Sequence, residues 1–273
     1  MKNKLLSKIL AAVCLTAILL TGCGVDNNAA LVTINDGEDT ISYGYAYFSA
    51  RYTQSMYDAF YLSYMGEQMW SQSQGEQTME ELTKDGIMDS LEEEYLLRQH
   101  AEEYGVKITD DEEKAITKAA KAFIKANSKK ALKEMGATQE IVEEYLRNQT
   151  YTTKVTAAIK ESADVSDIEA EAEAEVESET EAEAETEAEA ETETEADTET
   201  EADTEADADT ESDEAVEENT EETEEKTPEQ RIEEKKTEHY NTVMEGWKNE
   251  IKWKVNEKLW KTVKFDTLFK AKS

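Results

Sequence analysis

From Glu169 to Glu225 the chain carries 30 aspartates and glutamates and not one lysine, arginine, histidine, cysteine, glycine or aromatic residue. Carboxylates alternate with Ala or Thr, a period-two pattern that would suit a strand. Such a strand would have nothing to bury, since Val176 and Val216 are the only larger apolar residues in the tract. Self-repulsion and missing apolar surface predict an extended, disordered linker, because ordering entropy has nothing to offset it. Whatever folds must therefore come from the two flanking stretches. The same tract explains the net charge of −36, because the remaining residues hold 35 acids against 29 bases. The foldable part is only mildly acidic. It lacks the basic patch that nucleic-acid binding needs, so no nucleic-acid partner is expected.

The first residues read as an export signal. Lys2, Lys4 and Lys8 precede an apolar run from Ile9 to Leu20, interrupted only by Thr16. The run is too short for a stable span and suits a cleaved signal segment. It ends in Leu20-Thr21-Gly22-Cys23, which resembles the bacterial lipobox. That resemblance implies cleavage before Cys23, lipid on its thiol, and a chain held at the extracytoplasmic face of the cell membrane. Two or more acyl chains are needed for stable anchoring. Cys14 leaves with the signal, so no disulfide or cysteine metal site is expected, and two distant histidines argue against a multi-histidine centre.

Past a polar tether, Val32-Thr33-Ile34, Asp36-Gly37 and Thr40-Ile41 predict a short β-hairpin, with Ser42 capping a helix. Helical periodicity runs from Tyr43 to Trp70 in two apolar stripes. One holds Tyr45, Phe48, Tyr52, Met56 and Ala59, the other Tyr57, Tyr61, Tyr64 and Met65. Further helices are expected over about 79–104, from a Thr109/Glu112 capping box to Ala126, over 128–135 before Gly136, and from Thr138 to about Ser162. After the tract, Thr227, Pro228 and Gln230 open another helix. Lys252 to Phe265 then mixes lysines with Trp253, Val255, Leu259, Trp260 and Val263. This segment cannot stand alone and is expected to pack back on the N-terminal helices, a closure tolerable because loop entropy grows slowly with length.

The resulting expectation is a mainly α fold with a short N-terminal β-hairpin, a returning C-terminal helix and a long acidic insert. Its parts are a signal at 1–22, a lipidated tether at 23–31, a multi-helix domain at 32–166, the acidic linker at 167–227, a C-terminal helix and tail at 228–265 on the helical domain, and a tail at 266–273.

The order of a lipobox, "VTINDGEDTIS", an aromatic helix, "LEEEYLLRQHAEEYGVKITDDEE" and "GATQEIVEEYLRNQTYTTKV" running into "VSD" resembles the N-terminal helical domain of the SurA and PrsA foldases, related to the trigger-factor substrate-binding fold. The closing "KWKVNEKLWKTVKF" resembles the segment that returns to that domain. The likeness implies an ATP-independent chaperone whose partners are unfolded secreted polypeptides. In members with prolyl isomerase activity a parvulin domain follows the position of "VSD". Here the acidic tract stands in its place, so the resemblance implies a holdase without its own isomerase, and no catalytic residue is nominated.

Tyr57, Tyr61, Tyr64, Met65 and Trp70 are the candidate client-binding residues, since Tyr and Met make adaptable amphipathic surfaces. The competing reading is core against the returning C-terminal segment. The tract has three readings: a solvated spacer, a weak and diffuse Ca²⁺ sponge without a fixed loop, or a contact for basic clients or cell-wall polymers. No other cofactor is expected. His100 and His239 read as solvent-facing, and the Asn148-Gln149-Thr150 sequon, inside an expected helix, reads as chance. An envelope scaffold or adhesion lipoprotein is the alternative function.

Overall fold

The computed structural model describes residues 25–172 and 226–269. The expected signal, Cys23, the acidic tract from residue 173 onward and the last four residues lie outside the described residues.

Strand β1 (Ala30–Ile34) pairs antiparallel with β2 (Asp39–Ser42) through a turn in which Asn35, Asp36 and Gly37 all take positive φ. Asn, Asp and Gly tolerate this region best, which is why the turn falls here. Helix α1 (Tyr43–Met65) follows, then a 3-10 turn (Met69–Ser71), a two-residue hairpin of β3 (Ser73–Gln74) and β4 (Gln77–Thr78), and α2 (Met79–Gln99). Next come α3 (Asp110–Ala126), α4 (Lys129–Met135) and α5 (Gln139–Glu161), and beyond the tract α6 (Pro228–Glu250), β5 (Trp253–Val255) and the single turn α7 (Glu257–Trp260). The architecture is mainly α.

Local chemistry sets most helix starts. Ser42 accepts from Tyr45 N at the head of α1, and Thr109 and Glu112 close a reciprocal capping box on α3. Ser128 accepts from Ala131 N, Thr138 from Ile141 N, and Thr227 from Gln230 N. Each such cap satisfies amides that a helix terminus otherwise leaves without partners.

The chain forms two compact units. The first comprises described residues 25–95, 108–150 and 249–269. Its three-stranded sheet has the order β2-β1-β5, with Val32 opposite Val255 and Ile34 opposite Trp253. The N-terminal hairpin is thus two-thirds of a sheet completed by the C-terminal stretch. Its helical core gathers Phe48, Ala120, Met135 and Val142, with Tyr52, Phe123 and Tyr145 packed against them. Phe48 meets Phe123 and Tyr145 edge-on at 6.1 and 5.5 Å, a favoured arrangement for aromatic rings.

The second unit comprises described residues 96–107, 151–172 and 226–248. Leu96, Leu97, Ala101, Val155, Ile159, Ile168 and Met244 are buried. Lys160 bridges to Glu233, and Trp247 stacks on His100 with centroids 4.0 Å apart and planes 4° off parallel. His100 Nδ1 also lies 2.8 Å from Glu103 Oε1, and His239 Nε2 lies 3.1 Å from Ser162 Oγ. Both histidines therefore contact folded neighbours rather than only solvent.

Several boundaries move. The tether expected to reach residue 31 is hydrogen-bonded earlier: Gly44 N donates to Asn27 O at 2.8 Å, Tyr43 N donates to Ala29 O at 2.8 Å, and Leu31 is fully buried. A Cβ on Gly44 would stand 2.9 Å from that of Asn27, so this close approach needs glycine. The expected linker start at 167 is too early, because residues 166–172 are helical, with Ile168 buried and Asp167 paired to Lys235. The tail from 266 to 269 is held against α1, as described below.

Candidate functional site: an inverted helix face and its cleft

Helix α1 changes character midway. Through Ala50 its buried residues are those expected of an amphipathic helix, among them Tyr45, Ala46 and Phe48. From Arg51 on, the buried residues are Arg51, Gln54 and Asp58, with Gln54 0% exposed. The spacing i, i+3, i+7 keeps them on one face. Four apolar residues of this half point out instead: Met56 is 45% exposed, Phe60 65%, Tyr61 46% and Tyr64 86%.

The buried polar face holds the C-terminal tail. Arg51 donates through Nη1 to Lys264 O at 2.7 Å and through Nη2 to Thr267 O at 2.9 Å. Its Nε reaches Glu134 O at 3.3 Å, and it also bonds Gln54 Oε1. Gln54 Nε2 donates to Thr267 O at 3.1 Å. Asp58 accepts from Phe269 N at 2.8 Å and from Trp70 Nε1 at 2.9 Å. Burial pushes the Asp58 carboxyl above its ordinary range, while the Phe269 and Trp70 donors pull it back. From α2, Lys84 Nζ donates to Val263 O at 2.8 Å and Trp260 O at 3.3 Å, and burial draws its amine below the usual lysine range. Val263 and Phe265 fill the space between, with the Phe265 ring 4.7 Å from Trp70. Buried polar groups on α1 are tolerated because the tail's backbone satisfies them.

Beside this face, α1 and α2 enclose a cleft of about 440 Å³ floored by Tyr145 and Gln149 of α5. Tyr57, Leu82, Ile87 and Leu91 supply apolar wall, and Ser49, Thr53, Ser90 and Glu94 supply polar groups. Among the described residues its lining holds no lysine or arginine. Glu94 is fixed at the floor, accepting from Tyr45 Oη at 2.6 Å and from Gln149 Nε2 at 2.6 Å, and Asn148 Nδ2 donates to Tyr45 Oη at 2.9 Å. Burial, reinforced by the Glu94 carboxylate, raises the Tyr45 phenol well above its ordinary value. Burial pushes the Tyr145 phenol up to about 12. The sequon asparagine is thus an interior hydrogen-bond donor.

Two details of the cleft lack a packing reason. Ser49 is 7% exposed, and its Oγ meets no hydrogen-bond partner among the described residues. Gly86 lies at the exposed rim of the cleft in α2, where a Cβ would meet nothing within 4 Å.

The five residues nominated from sequence separate. Tyr61 and Tyr64 lie on the exposed face. Tyr57 is half-buried, lining the cleft and touching Tyr61 at 5.6 Å, so it joins cleft to face. Met65 is half-buried at the helix end. Trp70 is 4% exposed, outside the helix in the 3-10 turn, and belongs to the core around Phe265. Its indole needed a buried acceptor, which Asp58 provides, so it cannot meet a client. Met56, in the stripe with Tyr45 and Phe48, faces solvent, and Phe60 was not singled out. The signal was present in the polar spacing of Arg51, Gln54 and Asp58. No family model, no curated protein and no solved structure matches the chain.

Proposed function

We propose that the chain is an exported, lipid-anchored holdase of the SurA/PrsA kind, which binds unfolded secreted polypeptides without ATP and without an isomerase domain of its own. The observation that carries this reading is the inverted half of α1, where Met56, Phe60, Tyr61 and Tyr64 stand exposed together on one helix. Scattered apolar residues on a surface need no explanation, but a contiguous group suits an interaction site. Met and Tyr add adaptability, since a thioether and amphipathic rings fit many apolar segments. The anchor in this proposal is lipid on Cys23, and a Cys23→Ser change would release the protein from the membrane fraction. No helix among the described residues is long and apolar enough to cross a membrane.

Proline-limited refolding of a model client tests the function. Less aggregation at an unchanged refolding rate is the expected result. A faster rate would indicate an isomerase instead, and unchanged aggregation at an unchanged rate would leave only a scaffold.

A further inference from the structure

We propose that two lysine-rich segments flanking the start of α1 form a docking face for an anionic phospholipid surface, which sets how the anchored chain sits on its membrane. The proposal rests on the lipid-anchor reading and adds the headgroup chemistry that the fold itself would meet. From Lys114 to Lys133 the chain carries seven lysines and no acid, and from Lys252 to Lys264 five lysines against Glu257 alone. All of these lysines are exposed. The expectation that the foldable part lacks a basic patch therefore holds only as an average. On α3, Lys114, Lys118, Lys121 and Lys125 recur at i, i+4, i+7 and i+11, a single stripe turned away from buried Ile116 and Ala120. After two residues α4 adds Lys129, Lys130 and Lys133. Among the described residues only Lys114 and Lys130 of these seven have an ion-pair partner, Asp111 and Glu134.

The first turns of α1 bring the two segments together. Tyr43 Oη lies 3.1 Å from Thr262 Oγ1, and Tyr47 Oη donates to Glu134 O at 3.1 Å. Arg51 donates to both Glu134 O and Lys264 O, so one guanidinium ties the end of α4 to the second segment. The tether enters at this same end, where Gly44 N donates to Asn27 O. Asn27 stands four residues past Cys23, a reach of about 14 Å at full extension. Lipid on Cys23 thus brings the start of α1, with the lysines beside it, to headgroup level. Each lysine near an anionic surface is worth about fivefold in partitioning. Charges more than about 8 Å away are largely screened at physiological salt, so the chain's net negative charge does not decide this contact. Tyr64 lies about 30 Å along α1 from Gly44, so a bilayer at the Gly44 end leaves the exposed aromatic end open.

The test uses the exported chain as it comes from the cell envelope, mixed with vesicles of phosphatidylcholine alone or with one-quarter phosphatidylglycerol. Lysine acetylation is read residue by residue by mass spectrometry. At about 0.15 M salt, Lys118, Lys121, Lys129 and Lys261 are expected to react at least about threefold more slowly on the phosphatidylglycerol vesicles. The difference should vanish at about 1 M salt, where the screening length falls to about 3 Å. A variant combining Lys118→Glu, Lys121→Glu and Lys129→Glu, all at exposed positions, should melt within a few degrees of the wild type and lose most of the protection at Lys261. Equal labelling on the two kinds of vesicle overturns the docking face. Protection by soluble polyphosphate with none on vesicles overturns it too, in favour of a soluble polyanion. If the variant unfolds, the wild-type comparison decides alone. Flotation with phosphatidylcholine vesicles reports the anchor by itself. A chain that fails to float there sinks lipidation of Cys23, while the phosphatidylglycerol arm still judges the lysine face.

Discussion

Up to Ala50, helix α1 turns Tyr45, Ala46 and Phe48 inward; from Arg51 it turns Arg51, Gln54 and Asp58 inward and leaves Phe60, Tyr61 and Tyr64 outside. The same helix thus buries apolar surface in one half and charge in the other. The difference lies in what each half packs against. The first half packs mostly against rings and methyls of α3, α4 and α5, although Tyr45 Oη also bonds Glu94 and Asn148. The second half meets an extended tail whose carbonyls and amides need partners of their own. A polar inward face is the solution for that neighbour, and it frees the helix's apolar residues for solvent. Where a helix packs on bare backbone, amphipathicity can invert without a net loss of satisfied groups.

The comparison predicts opposite mutational patterns in the two halves. Phe48→Ala should cost most, about 3–5 kcal/mol, the usual range for removing a core aromatic; chemical denaturation measures it, and a loss below about 1 kcal/mol would deny the first half its core role. Arg51→Ala should follow at about 3 kcal/mol, since it strips donors from buried carbonyls of Glu134, Lys264 and Thr267. It should also raise hydrogen exchange across 263–269. An ordinary surface arginine would do neither.

Tyr145→Phe should change stability at pH 7 by less than about 0.5 kcal/mol, because among the described residues that hydroxyl makes no hydrogen bond. Its effect is expected at alkaline pH. An unfolded phenol ionises near 10.0, the folded one near about 12, so between them the folded state keeps a proton the unfolded state has lost. Stability from this group is complete below pH 10 and drains away towards about 12. Denaturation from pH 9 to 12 should therefore show a shallower decline in Tyr145→Phe than in the wild type.

Much of the first half was legible in the sequence. Ser42, the Thr109/Glu112 box and Thr227/Gln230 signal helix starts through residues three apart, and Tyr45 and Phe48 follow helical period. The sheet's third strand was not legible. Trp253–Val255 spans three residues, and its partners in β1 lie over 200 positions away. Nor was the inversion, since Tyr57, Tyr61 and Tyr64 look equally suited to core or surface until the inner face is known. Arg51, Gln54 and Asp58 do repeat at helical spacing, but reading them as buried requires knowing that a backbone returns to meet them.

The central claim is that the outer aromatics of α1 serve a partner rather than the fold. A triple variant, Phe60→Ser with Tyr61→Ser and Tyr64→Ser, tests it in one sample by thermal melt and client aggregation. The account predicts a melting midpoint within a few degrees of the wild type, about 1 kcal/mol or less, together with loss of aggregation suppression. A folded variant that still suppresses aggregation fully, or one that unfolds outright, would contradict it.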